Sequence, residues 1–245
     1  MRKLTILITA GPTHEYLDDV RYLANPSSGR MGIEVARAAQ ARGHRVRLVA
    51  GPLAVPPPAG IPRVDVVSAL DMRRAVLRAF PAADAVVMTA AVGDWRPVRR
   101  TAGKMKRGRS SSTSSGRGGL VLRLVENPDI LAELGRRRRP GQVLVGFALE
   151  SRDPLHHARR KLARKRVDLI VLNSPESFGR DRARFRLVSA TAATDLGPIR
   201  KKALAERLVR WIEDASRSGW PGGTRQTAGG RSREAGAGGR RRGVS

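Results

Sequence analysis

The chain of 245 residues contains no cysteine. That excludes disulfides, thiolate zinc sites and a cysteine nucleophile together. Aromatic residues make up only 4% of it, so aliphatic side chains and alanine must fill the interior. No apolar run reaches the roughly 18 residues that a membrane-spanning helix needs. The apolar start, Met1 to Ala10, is short and runs directly into a polar motif, which argues against a secretion signal. Acidic residues are few: 21 stand against 48 lysines and arginines, for a formal charge of +27. Lysine is rarer still, with seven among those 48. A cytoplasmic protein of one domain, large enough to bury a real core, is the expectation.

The charge is unevenly placed. Arg217 to Ser245 carries a net +6, and Arg96 to Gly118 carries +8 with no acid, leaving +13 for the rest. Both segments are rich in glycine or serine and are expected to be disordered without a ligand: a basic loop at about 98–119 and a tail at 216–245. Such segments attract polyanions without specificity. Hardly any aromatic residue interleaves with the charge, so base stacking, and with it a specific nucleic-acid partner, is poorly supported.

Apolar runs alternate with amphipathic stretches. Strands are expected at Leu4–Ala10, Arg45–Ala50, Val64–Val67, Ala85–Ala91, Val143–Ala148 and Leu169–Leu172. Helices are expected at Met31–Arg42, Ala69–Phe80, Pro128–Arg136, Pro154–Arg166 and Pro198–Asp214. Near-continuous apolar strands alternating with helices indicate an α/β fold: a doubly wound, Rossmann-like, mostly parallel sheet with helices on both faces. Phe185–Ala190 reads as a late antiparallel strand, and Pro56-Pro57-Pro58 as a stiff loop. In such sheets ligands sit beyond the carboxyl ends of the strands.

The polar motifs fall at those ends. Asn25-Pro26-Ser27-Ser28-Gly29-Arg30-Met31-Gly32 follows the first strand and opens a helix. Orphan N–H groups of a first helical turn, approached through glycine, make an anion site. A serine cap explains the same residues structurally. Thr89-Ala90-Ala91-Val92-Gly93-Asp94-Trp95-Arg96-Pro97 breaks a buried strand with small residues and a carboxylate. Asp94 can accept ligand hydrogen bonds, hold a cation or cap the turn. Lys104-Met105-Lys106-Arg107 gathers scarce lysines on a glycine-flanked loop, where a mobile ammonium can close over phosphate; a solvated charge run explains the same residues. Lys161 and Lys165 share one helix face, where an anion between them would relieve their repulsion, or else they belong to an exposed basic face with Arg159, Arg160, Arg164 and Arg166. Glu126-Asn127-Pro128-Asp129-Ile130 reads as a helix start, with Asn127 as cap and Pro128 at the first helical position. The histidines, His14, His44, His156 and His157, form no metal or triad pattern.

Together these motifs resemble one family. The ordered set 8–13, 20–32, 90–97, 104–107, 127–130, Val145-Gly146-Phe147-Ala148-Leu149-Glu150, Lys161 with Lys165, and 168–173 is similar to phosphopantothenoylcysteine synthetase, over roughly residues 3 to 213. The resemblance implies a ligase of coenzyme A biosynthesis that joins 4′-phosphopantothenate to L-cysteine through an acyl-nucleotide, spending CTP (in bacteria) or ATP, with Mg²⁺ and without flavin. Asn25, Lys104 and Arg21 take the catalytic positions. Asn25, Arg21, Ala90 and Ala91 take those that bind the intermediate. Gly11, Ser27, Gly29 and Gly32 match the phosphate cradle. Met88, Thr89, Ala90, Asp94, Lys104, Asn127, Pro128, Asp129, Ile130, Phe147, Lys161, Lys165 and Asn173 match nucleotide contacts. Some positions depart from the pattern: Pro12 and Gly93 replace a usual glycine and alanine, Arg107 a lysine, and Tyr16 and Asp19 prolines. Pro12 puts a backbone N–H contact there in doubt.

The family is commonly fused behind a flavin-dependent decarboxylase. Met1 stands directly before the first strand, so a stand-alone synthetase is expected, working as a homodimer and handing its product to a separate decarboxylase. Two rivals stand beside this reading. A nicotinamide-dependent oxidoreductase would need the missing G-x-G-x-x-G. A basic nucleic-acid-binding protein would rest on charge alone.

Overall fold

A buried β-sheet forms where the apolar runs lie. The structure, a computed structural model, describes residues 2–106, 120–149, 153–173 and 179–217. Its first half contains β1 (Thr5–Ala10), β2 (Glu15–Tyr16), β3 (Tyr22–Leu23), α1 (Arg30–Ala41), β4 (Arg45–Ala50), β5 (Arg63–Asp65), α2 (Ala69–Ala79) and β6 (Ala85–Met88). Then follow β7 (Trp95–Pro97), β8 (Leu124–Glu126), α3 (Ile130–Arg137), β9 (Val143–Leu149), α4 (Pro154–Lys165), β10 (Leu169–Asn173), β11 (Arg182–Val188), β12 (Ala193–Arg200) and α5 (Lys201–Arg217).

Among the described residues, eight strands make one sheet in the order β5-β4-β1-β6-β9-β10-β11-β12. It is parallel from β5 to β10, and β11 and β12 run antiparallel at one edge. Side chains on a strand alternate between faces. Ile6 and Ile8 of β1 pack with α1 and α5, while Leu7 packs among residues of α2, α3 and α4. Each is fully buried, and burying such a side chain contributes about 1.5–3 kcal/mol. Helices thus cover both faces, as expected for a doubly wound α/β fold.

A clasp closes one face. Arg42, just past α1, donates from Nε and Nη2 to Glu213 of α5, each at 2.7 Å. His44 stands 2.9 Å from the same carboxylate. Leu4 N–H donates to His44 Nδ1, which leaves the His44 proton on Nε2, facing Glu213. The Arg42 guanidinium holds the Glu213 carboxyl below the ordinary range, against the opposite push of burial and with help from His44.

Several sequence expectations need correction. Pro198 belongs to β12, not to the last helix, which begins at Lys201. The late strand is one arm of an antiparallel pair, whose second arm carries mostly polar or half-buried residues and so lacks an apolar run. The strand expected at Ala85–Ala91 ends at Met88, where the chain turns into the ligand edge. The strand expected at Val64–Val67 is Arg63–Asp65. Gly29, not a serine, holds the N-cap position of α1, at φ +75° and without a side-chain cap bond, while Ser28 Oγ just outside it accepts from Arg30 N–H at 3.4 Å. Asn127 does not cap α3 and Pro128 is not its first residue; Asp129 is the cap, its carboxylate accepting from Ala132 N–H. Asn127 is drawn away to the loop after β6. The expectations for 107–119 and most of the tail, with Arg107 and Glu150, lie outside the described residues.

Candidate functional site

Chain order reverses between β1 and β6. From β1 the sheet grows through β4 to β5, and from β6 through β9 to β10. From two such neighbours the sheet is built outward in opposite directions, and ligands bind at the carboxyl edge of such a switch point. A cavity of about 1140 Å³ occupies this place.

Close approach of α1 to the sheet builds its first wall. A Cβ on Gly32 would stand 2.6 Å from Ala10 Cβ, 2.6 Å from Thr89 Oγ1 and 2.9 Å from the Thr9 carbonyl, so only glycine lets the helix start lie against β1 and the end of β6. Gly29 in its left-handed conformation turns the chain into that helix. Beyond the strands the two loops stay joined. Pro12 pairs with Ala91, and Ala91 N–H donates to the Gly11 carbonyl at 2.9 Å. Pro12 has no N–H to give, and its carbonyl packs against Gly51.

The second wall is the segment after β6, held from several sides. Ala90 N–H donates to Thr9 Oγ1 at 3.1 Å and Gly93 N–H to Thr13 Oγ1 at 2.9 Å. Asn25 Nδ2 donates to the Val92 carbonyl at 3.1 Å. Asn127 Nδ2 donates to the Gly93 carbonyl at 2.8 Å, and its backbone N–H to the Asp94 carbonyl at 2.7 Å. Two asparagines therefore tie residues 92–94 down, and one of Asn25's amide protons is left for a ligand.

α3 and α4 supply the third wall. Lys161 Nζ donates to the Phe147 carbonyl at 3.2 Å. Lys165 Nζ meets the Asp129 carboxylate at 2.9 Å. Burial pushes the Asp129 carboxyl up, but the Ala132 N–H, Lys165 and Arg164 outweigh it and hold the group below the ordinary range. The lysine pair expected to clamp an anion thus already has protein acceptors, one neutral and one charged.

Of the residues singled out in the sequence, Asn25, Ser27, Gly29, Met88, Thr89, Ala90, Ala91, Asp94, Asn127, Pro128, Asp129, Ile130, Phe147, Lys161, Lys165 and Asn173 all line the cavity. Gly11 and Gly32 do not; they sit behind its wall as close-packing positions. Arg21 and Lys104 also stand outside it. Arg21 turns its guanidinium to the Met105 carbonyl, at 3.0 Å, and Lys104 is exposed.

Sequence reasoning missed Arg30, Arg160, Arg164 and Lys201, which line the cavity too. Against these cations the lining offers the carboxylates of Asp94 and Asp129, so the wall carries a net positive charge. Burial pushes the Lys201 ammonium below its ordinary value, and neighbouring Arg30 adds to that, opposed by Asp181. The signal was available: Lys201 is one of only seven lysines. Among the described residues no cluster of His, Cys, Asp or Glu could hold a metal by itself, and no helix is long and apolar enough to cross a membrane.

Known proteins share this architecture. The coenzyme A biosynthesis bifunctional protein CoaBC of Bacillus subtilis is 45% identical over 175 residues, covering 71% of this chain and 41% of that protein. A cysteine/cysteine sulfinic acid decarboxylase from an unknown prokaryotic organism is 39% identical over 213 residues, covering 84% of this chain and 57% of the relative. The chain thus spans about half the length of these curated relatives. The crystal structure of the C-terminal domain of a CoaBC protein superposes with a TM-score of 0.75 at 33% identity, covering 89% of this chain and 98% of that domain. Residues 1–215 match the DNA/pantothenate metabolism flavoprotein C-terminal domain. With the family match running over residues 1–215 and the domain structure superposing on 89% of the chain, the chain belongs to that family.

Proposed function

We propose that this domain is a phosphopantothenate–cysteine ligase of coenzyme A biosynthesis. It activates the carboxylate of 4′-phosphopantothenate with a nucleoside triphosphate, CTP in preference to ATP, and passes the acyl group to L-cysteine. The observation that carries the reading is the cavity itself. At the switch point of the sheet it gathers Asn25, Gly29, Met88, Thr89, Ala90, Ala91, Asp94, Asn127, Lys161 and Lys165, each at a position the family resemblance assigns to substrate or nucleotide.

A carboxylate repels an amine and is a poor electrophile. Its oxygen attacks the α-phosphorus, forming a P–O bond and breaking the bond to the β-phosphate, so that pyrophosphate leaves. Cations near the phosphates offset the charge that develops there. Lys104 is assigned to the α-phosphate. Lys161 and Lys165 are assigned to nucleotide contacts, with Asn127, Asp129 and Phe147 beside them. The amine of cysteine then attacks the acyl carbon. A C–N bond forms, the acyl C–O bond breaks, and the nucleoside monophosphate leaves. Asn25, fixed on Val92, orients that carbonyl with its remaining amide proton.

Asp94 is an exposed carboxylate on the lining, while Asp129 is engaged by Lys165. This donor set fits an Mg²⁺ held chiefly by nucleotide phosphates, with Asp94 the available side chain. When bound, the ion would polarise the phosphoryl oxygens.

A homodimer belongs to the same reading. Tyr22 on β3 and Trp95 on β7 are 45% and 49% exposed, and the apolar side chains of Val20, Val98 and Leu122 are exposed as well. A cytoplasmic setting with a partner decarboxylase completes it, in keeping with the bifunctional name of the Bacillus relative. The test is incubation with phosphopantothenate, L-cysteine and either CTP or ATP. Pyrophosphate release that requires phosphopantothenate is expected, faster with CTP. Its absence with both nucleotides refutes the reading.

A further inference from the structure

The turn before β3 grips the loop that carries Lys104. The Asp18 side chain has no exposed surface. One of its oxygens, Oδ1, accepts from the N–H groups of Val20 and Arg21, at 2.8 and 2.6 Å. The other, Oδ2, accepts from Met105 N–H at 3.1 Å, 87 residues away in the chain. Its neighbour Asp19 accepts from Gly103 N–H at 2.8 Å and pairs with Arg100 at 2.8 Å. Arg21 answers in the opposite sense, donating to the Met105 carbonyl at 3.0 Å. Both neighbours of Lys104 are therefore pinned through their backbones. Lys104 itself is exposed, and among the described residues its ammonium has no hydrogen-bond partner.

We infer that Asp18 is a positioning residue: with Asp19 and Arg21 it forms a latch that sets where Lys104 projects during activation of the carboxylate. This rests on the ligase reading for the role of Lys104, not for the latch itself. The division of labour in the carboxylate carries the argument. A turn that only needed its own Asx bonds would be served by Oδ1 alone. Oδ2 is spent across the fold, on the residue next to the lysine, with the Arg21 guanidinium 3.7 Å away as a looser ionic neighbour. A charged acceptor for a backbone N–H makes a strong bond, and a buried one is costly to lose. Arg21 is absent from the cavity because its guanidinium closes this latch from the other side.

The substitution Asp18→Asn separates the two functions. Its oxygen can keep the Val20 and Arg21 bonds, while the new NH₂ group confronts Met105 N–H, donor against donor. Amide hydrogen exchange on the whole chain reads the latch directly. The Met105 amide should exchange about tenfold faster or more in Asp18→Asn, with the Ile8 and Val87 amides unchanged. Pyrophosphate release should slow by about 10- to 100-fold through kcat, with KM for the nucleotide little altered. The deciding measurement is the double variant Asp18→Asn/Lys104→Gln. If Asp18 acts through Lys104, the pair is no slower than Lys104→Gln alone. Multiplying losses would show a merely structural role and overturn the inference, as would unchanged Met105 exchange. Should Asp18→Asn misfold, Asp19→Asn, at a half-exposed side chain, must speed exchange at Gly103 and lower kcat in the same non-additive way. If the unmodified chain releases no pyrophosphate, the ligase reading falls and takes the catalytic half of the inference with it; Met105 exchange still decides whether the latch exists.

Discussion

Gly32 is where fold and site depend on the same few atoms. A methyl group there would meet Ala10 Cβ and Thr89 Oγ1 at 2.6 Å and the Thr9 carbonyl at 2.9 Å. Comfortable carbon contacts lie at about 3.5–4.0 Å, so in Gly32→Ala the start of α1 must back away by about 1 Å. Overpacking of this kind costs about 1–3 kcal/mol. Alanine in place of glycine returns about 1 kcal/mol of helix propensity, leaving a net loss of about 1 kcal/mol. For a domain of this size that lowers Tm by about 2–4 °C. The larger effect falls on the site, because the retreat carries Gly29 and Arg30 away from residues 88–94. Nucleotide affinity should drop by about tenfold or more, as misplacements of this size do at catalytic sites. Urea unfolding gives the first number and calorimetric titration with CTP the second. Adding Ala10→Gly removes one of the clashing methyls and should restore part of both. A Gly32→Ala variant that is about 1 kcal/mol more stable, as at an open helix position, and binds CTP normally would refute the reasoning.

Other outcomes follow from the same geometry. A Cβ on Gly135 would strike the backbone carbonyl of Lys165, whereas one on Gly146 would meet the ends of the Leu131 and Ile170 side chains; Gly135→Ala should therefore unfold at distinctly lower urea than Gly146→Ala. Lys104→Gln should slow carboxylate activation severely, to a residual rate still measurable in a single-turnover assay, while leaving far-UV circular dichroism unchanged. Asn25→Asp should accumulate the acyl-nucleotide, detectable by mass spectrometry of the quenched reaction; normal turnover would remove Asn25 from that role. The Glu213 carboxyl titrates below its ordinary value of 4.5 in the folded chain. Its stabilisation is present above that value and is lost as pH falls through the lowered one. Glu213→Gln should accordingly be less stable at neutral pH and show a shallower loss of urea midpoint in acid; an unchanged acid profile would contradict the clasp.

The parts of the fold that were legible in the sequence share a cause. β1, β9 and β10 begin and end within a residue of expectation because each is an apolar run buried on both faces, and β4 does so although Arg45 and Arg47 are exposed. β12 was invisible because its partner, not its composition, makes it a strand. Its residues are mostly exposed or half-buried, and the pair is irregular between Arg184 and Arg186. The two-stranded pairs β2–β3 and β7–β8 are too short for any periodicity to register.

Site residues divide along the same line. The lysines of α4 could be placed together because helical spacing is a local property. The clamping of residues 92–94 by Asn25 and Asn127 depends on hydrogen bonds spanning 67 and 34 residues, and no local pattern encodes such a span. Asn127 shows how the two levels compete. Asn-Pro-Asp offers two cap residues for α3, and local chemistry favours either. The Gly93 carbonyl at the site takes the Asn127 side chain, so the cap passes to Asp129, whose carboxylate then also meets Lys165. A cap chosen by the site, and not by the helix, binds α3, α4 and the loop after β6 into one wall. Disturbing Asn127 should therefore be felt at Lys165, a helix away, before it is felt in the stability of α3.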